Sequence, residues 1–217
     1  MRPVVTDRVA WSVHLSVCHD REPCKNCWID QHAILIVDLG GPKEARQIRP
    51  SIQSLTFDAA KTIVQAFIAC RLDWCNSLLY GVPENLLRKV QSVQNAAARL
   101  LTNTLRRDHI TPVLRQLHWL PFQRRVEFKI VCLVHQSLAS TAPTYLSADI
   151  HLVSEHGRHL RSSSYRSLTV PRTQTTFGDR SFTVAGPRLW NSLPATLRQI
   201  NSYRQFRRHL KTHLFRA

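Results

Sequence analysis

From position 63 to 79, apolar residues return every three or four places: Ile63, Val64, Phe67, Ile68, Leu72, Cys75, Leu78 and Leu79. That recurrence puts them on one side of a helix of about 3.6 residues per turn, and a one-sided apolar helix needs a partner. Tyr80-Gly81-Val82-Pro83 interrupts the pattern. Gly81 suits the left-handed turn that ends a helix, and the fixed φ of Pro83 suits a first helical position. Leu86, Leu87, Val90, Val93, Ala97, Leu100 and Leu101 then make a second stripe, so the pattern predicts a helical hairpin.

Further elements follow by the same logic. Thr56 is placed to cap a helix starting at Phe57-Asp58, with Asp58 favourable in the first turn. After the polar connection Arg106-Arg107-Asp108, Thr111-Pro112 predicts the start of a short third helix containing Val113, Leu114 and Leu117. Pro121 predicts the start of a fourth with the stripe Phe122, Val126, Ile130, Leu133, Val134 and Leu138, with Arg124, Arg125 and Lys129 elsewhere on it. His118-Trp119-Leu120 between them reads as a packed corner, and a short segment spans 143–150. Residues 154–180 lack an apolar period and read as loop with at most a short strand at 167–170. Ser202 is placed to cap a last helix whose packing face is Tyr203, Phe206, Leu210 and Leu214. Phe182, Leu189, Trp190 and Leu193 anchor this tail, with a short strand allowed near Phe182.

The predicted fold is therefore mainly α: a helical bundle at 48–150, an irregular basic C-terminal subdomain at 151–217, and a final amphipathic helix. Residues 1–47 differ, with apolar runs at 9–17 and 33–39 and a Gly40-Gly41-Pro42 breaker. They read as an unrelated N-terminal extension, with disorder left open.

Charge sharpens this picture. Thirty Lys and Arg stand against 14 Asp and Glu, a formal net charge of +16, while 43% hydrophobic residues suffice for a core. So basic a compact chain repels itself unless a polyanion is near, which makes nucleic acid the first candidate partner and an anionic membrane surface the second. No run approaches the length of a transmembrane segment, and the N-terminus lacks a secretory pattern, so the expectation is an intracellular protein with no membrane partner. Acid is missing altogether after Asp179, where Arg180, Arg188, Arg198, Arg204, Arg207, Arg208, Lys211 and Arg216 follow.

The residues most suited to bind phosphate are those that acids do not neutralise. These are Arg158, Arg161, Arg166 and Arg172 in the loop, with Arg198, Arg204, Arg207, Arg208 and Lys211 behind them. Arg106, Arg107, Arg124 and Arg125 are a second choice.

Catalytic chemistry finds no such support. Asp58, Asp73, Asp108, Glu127, Asp149 and Asp179 are dispersed, no Asp-Asp or Asp-x-Asp pair occurs, and neither a Gly-rich phosphate loop nor a Gly-x-Ser-x-Gly turn is present. Asp73 beside Arg71 reads as a local ion pair. Of the six cysteines, Cys70, Cys75 and Cys132 lie in apolar helical patterns and read as buried thiols. Cys18, Cys24, Cys27 and His32 sketch a zinc knuckle, but its fourth ligand would fall on Val37, so incidental thiols are the better reading. The expectation is no enzyme, no cofactor and no metal.

Several runs also resemble a family. Arg71-Leu72-Asp73-Trp74-Cys75-Asn76-Ser77-Leu78-Leu79-Tyr80-Gly81, Val93-Gln94-Asn95-Ala96-Ala97-Ala98-Arg99-Leu100, His109-Ile110-Thr111-Pro112-Val113-Leu114 and Leu117-His118-Trp119-Leu120-Pro121 look like the C-terminal region of non-LTR (LINE, jockey-type) retrotransposon reverse transcriptases. The likeness continues through Val170-Pro171-Arg172-Thr173, Phe177-Gly178-Asp179-Arg180 and Arg188-Leu189-Trp190-Asn191-Ser192-Leu193-Pro194 to Lys211-Thr212-His213-Leu214-Phe215. It spans roughly 49–215. The resemblance implies the thumb and post-thumb region, which handles RNA and target DNA, cut off from an upstream palm whose Tyr/Phe-x-Asp-Asp turn holds the catalytic carboxylates. On that reading the chain binds RNA or DNA without copying it. The alternatives are an exapted helical protein-interaction module and a repeat-derived open reading frame without function.

Overall fold

Proline marks where several helices begin. Pro83, Pro121, Pro143 and Pro194 have φ between −54° and −52° with an extended ψ, and each stands immediately before a first helical residue. The ring fixes φ near the helical value, and the proline carbonyl accepts the first helical N–H, as from Leu86 to Pro83 and from Arg125 to Pro121, both at 3.0 Å. Pro83 and Pro121 thus stand one residue earlier than expected, as caps.

A computed structural model describes residues 54–156 and 166–216. The candidate zinc ligands Cys18, Cys24, Cys27 and His32, and the loop residues Arg158 and Arg161, lie outside the described residues. Those described are mainly helical, as the apolar periods predict.

The first arm of the hairpin is not one continuous helix. α1 (Phe57–Val64), capped by the Thr56 hydroxyl, passes through a π turn at Gln65–Ala69 into α2 (Cys70–Asp73). Cys75 then takes a left-handed φ of 49°, and a 3₁₀ turn follows at Asn76–Leu79. A π turn inserts an extra residue and rotates everything after it. Val64, Ile68, Ala69, Leu72 and Leu79 are accordingly buried, while Phe67 and Leu78, expected on the same face, are exposed.

Gly81 closes this arm with φ +70°, and a Cβ there would stand 2.7 Å from Cγ of Arg180, whose Nε donates to the Tyr80 carbonyl at 3.0 Å. α3 (Glu84–Thr102) returns with Val90, Val93, Ala97, Ala98 and Leu101 buried and ends at Asn103 in a left-handed cap. α4 (Ile110–Gln116) is capped at His109, two residues before the expected Thr111, and buries Val113 and Leu114.

α5 (Phe122–Leu138) packs against α3 and against the later helices at Thr144–Ala148, Phe182–Ser192 and Tyr203–Arg216. It buries Phe122, Val126, Ile130, Val131, Cys132, Val134, His135 and Ser137, positions distributed around the helix rather than along one stripe. Pro121 offers no capping side chain, so α3 supplies one: Oε1 of Gln91 accepts from the Phe122 N–H at 2.6 Å. The buried Nε2 of Gln94 donates to the Leu120 carbonyl at 2.7 Å and pins the His118-Trp119-Leu120 corner.

After α6 (Thr144–Ala148), the chain makes an isolated antiparallel bridge between Leu152 and Leu168. α7 (Thr176–Asp179) leads into α8 (Phe182–Ser192), then α9 (Ala195–Arg198) and α10 (Tyr203–Arg216). The segment around Phe182 is helical, not strand, despite Gly186 and Pro187 in its middle. Tertiary packing offsets the missing proline N–H: a Cβ on Gly186 would meet Cγ2 of Val134 at 2.8 Å, so glycine lets α8 lie directly against α5. One buried cluster joins Val131, Cys132 and Val134 of α5 to Leu168, Trp190, Phe206, Leu210 and Leu214. Residues before and after 150 therefore share a core.

Candidate nucleic-acid interface

α10 carries the expected division of faces. Phe206, Leu210 and Leu214 are buried with Tyr203 half-buried, while Arg204, Arg207 and Arg208 are exposed. Lys211 is half-buried. Burial holds its pKa below the ordinary lysine value, and the neighbouring positive charges of Arg125 and Arg207 act in the same direction.

The remaining cations of the expected surface do not all reach solvent. Arg198 is buried at 6% exposure, with its Nη1 donating to the Ser167 hydroxyl at 3.1 Å. Arg166, in a left-handed conformation of φ 57°, donates through Nη1 to Oδ1 of Asn201 at 2.9 Å and to the Arg198 carbonyl at 3.3 Å. Its own carbonyl accepts from the Trp190 indole at 2.8 Å. These two arginines tie the 166–169 segment to the corner between α9 and α10, a structural duty that no sequence period could reveal. Arg172 is exposed on the approach to α7.

Among the second-choice residues, Arg106 and Arg107 are exposed, and Arg124 pairs with Glu127 at 2.8 Å. Arg125 is nearly buried, pairs with Asp73 at 2.8 Å, and also donates through Nε to the Leu120 carbonyl. Asp73 thus has an ion-pair partner 52 residues away in the chain. Lys129, outside the expected site, joins the same neighbourhood: burial lowers its pKa first, Asp73 raises it, and Arg207 lowers it again. The i to i+4 step from Arg125 was the available signal, since it puts Lys129 on the same side of α5.

Deeper between α5 and α10 the chemistry turns apolar. The His135 ring stacks on Phe206 with centroids 4.3 Å apart and lies near Tyr203 and Trp190. Its Nε2 lies 2.9 Å from the Ile200 carbonyl. Burial lowers its pKa and keeps it neutral, so Nε2 carries the proton that this bond needs. Burial also pushes the Cys132 thiol up to about 11 and the Tyr203 hydroxyl up to about 12, which makes neither a nucleophile at neutral pH.

Among the described residues, no group of three or more His, Cys, Asp or Glu side chains is placed to hold a metal, and no helix is long and apolar enough to cross a membrane. No protein-family model, curated protein or solved structure matches the chain.

Proposed function

We propose that this chain is a fragment of a retrotransposon reverse transcriptase that lacks the catalytic palm and binds RNA or DNA without copying it. The observation that carries the reading is the outer face of α10, where Arg204, Arg207 and Arg208 are exposed in a stretch with no acid after Asp179. Helix faces of this kind neutralise phosphates and release counterions. The ordered motif resemblance supports the same origin. Arg204, Arg207, Arg208 and Lys211 replaced together by Gln leave Phe206, Leu210 and Leu214 in place. The log-affinity against log-salt slope for single-stranded RNA then becomes shallower by about 0.7 for each phosphate that is no longer neutralised. An unchanged slope refutes this surface, and primer extension on an RNA template by the purified chain refutes the absence of polymerase activity.

One observation favours a protein-interaction module instead. Phe57, Phe67, Trp74 and Leu78 are 51–57% exposed on the first arm of the hairpin. A protein partner bound there gives a saturable interaction that survives salt, whereas oligonucleotide binding weakens steeply with it.

A further inference from the structure

We propose that the cavity between the end of α5, the 166–169 segment and the corner before α10 takes one unpaired guanine base of a nucleic-acid strand. This rests on the nucleic-acid reading above and adds to it a site that reads a base rather than a phosphate.

The cavity measures about 320 Å³ and is lined by His135, Leu138, Ala139, Arg166, Trp190 and Asn201. That volume lies at the lower end of the range for ligand pockets, enough for one ring system and too little for a base pair. Trp190 has no exposure and His135 only 3%, so these two close the inner end. Leu138 and the exposed Ala139 supply apolar contact nearer the surface.

Arg166 supplies the recognition. The Trp190 indole donates to its carbonyl at 2.8 Å, and its Nη1 donates to Oδ1 of Asn201 at 2.9 Å and to the Arg198 carbonyl at 3.3 Å. The side chain is therefore held in place before any guest arrives. Both N–H groups of Nη1 are engaged, while those of Nε and Nη2 bond no described residue. Nε and Nη2 present parallel N–H groups, a fork that matches two acceptors side by side. Guanine carries that pair in O6 and N7, whereas adenine sets an amino donor beside N7 and the pyrimidines have no N7.

His135 argues against a bare anion as the guest. Its Nε2–H is engaged by the Ile200 carbonyl at 2.9 Å, and Nδ1, buried and without a hydrogen-bond partner, can only accept. A phosphate or carboxylate beside that lone pair is repelled. Guanine carries N–H donors as well as acceptors, and unpaired bases are read on both kinds of edge.

The test titrates the full chain with short labelled oligouridylates that are uniform or carry one central guanine, 7-deazaguanine or adenine. The guanine strand should bind about tenfold tighter than the uniform one, the discrimination of a single bidentate contact. 7-Deazaguanine has carbon in place of N7, and adenine has an amino group in place of O6, so each should lose most of that gain. Ala139→Leu fills the cavity and should bring the ratio of guanine to uniform affinity to about one, while Ala148→Leu, the same enlargement on α6, should keep the wild-type ratio. Uridylate binding with no gain from guanine overturns the cavity and leaves the proposed function standing. A gain shared fully by adenine or 7-deazaguanine overturns the Arg166 contact and the proposal with it, a result that the wild-type chain delivers whether or not Ala139→Leu folds. A gain that survives Ala139→Leu puts the base elsewhere and overturns it too. Salt-insensitive binding or none by the wild type overturns the proposed function itself.

Discussion

The same two helices meet twice, in opposite chemistries. At one end of the α5–α10 seam, His135, Cys132, Tyr203 and Phe206 join the fully buried Trp190 in an aromatic cluster in which His135 is neutral. At the other end, Arg125 of α5 pairs with Asp73 at 2.8 Å, Arg207 of α10 lies over the Tyr203 ring, and burial lowers the pKa of Lys129 and of Lys211. The first end is favourable in isolation, because apolar burial and ring contacts need no third party. The second depends on charge, through the Arg125–Asp73 ion pair. Changes at each end should therefore read out differently.

The largest effect belongs to the aromatic end. Trp190 has no exposure and its indole bonds the Arg166 carbonyl. Trp190→Ala should therefore destabilise the chain by about 3–5 kcal/mol in chemical denaturation. A loss under about 1 kcal/mol would show that the cluster is not the anchor.

Gly186→Ala comes next. The added methyl meets Cγ2 of Val134 at 2.8 Å, so overpacking should cost about 1–3 kcal/mol. Adding Val134→Ala should return part of that loss, and a double variant that is merely the sum of the singles would show that the two helices do not touch there.

His135 distinguishes the two ends by pH. Its folded pKa lies below the ordinary 6.5, through burial first and the Arg166 charge among the lesser causes. Below 6.5 the unfolded chain therefore binds a proton that the folded one refuses. Stability attributable to His135 should be complete above pH 6.5, fall as pH drops below it, and level off under the folded pKa. His135→Phe should flatten that part of a stability-against-pH curve, and an unchanged curve would place the titration elsewhere.

The smallest effect is expected at the cationic end. Asp73→Asn removes a partly exposed ion pair, with Asp73 55% exposed, and should cost about 0.2–1 kcal/mol. The same change should tighten oligonucleotide binding, since it removes a negative charge that competes with phosphate. Weaker binding would mean that Asp73 orients Arg125 rather than competing for it.

How much of this was legible in the sequence varied with the range of the interaction. The α10 faces follow from a 3.6-residue period, and the Thr56 cap from one hydroxyl before a helix. The π turn at Gln65–Ala69 was not legible, because nothing in Gln-Ala-Phe-Ile-Ala marks an inserted residue. Phe67, inside that turn, is exposed. Arg198 was read as a surface cation because arginine is rarely buried, yet it is enclosed beside Ser167 through contacts 31 residues apart.

By itself, then, the sequence determined the helices, their apolar faces and a basic charge too large to be neutral towards polyanions. Those properties are local or additive, so periodicity and composition carry them. Only the tertiary structure decided which charges are neighbours. Asp73 and Arg125 are 52 positions apart and become an ion pair at 2.8 Å only in the folded chain. Electrostatic coupling depends on distance in space, and distance in space is set by the core.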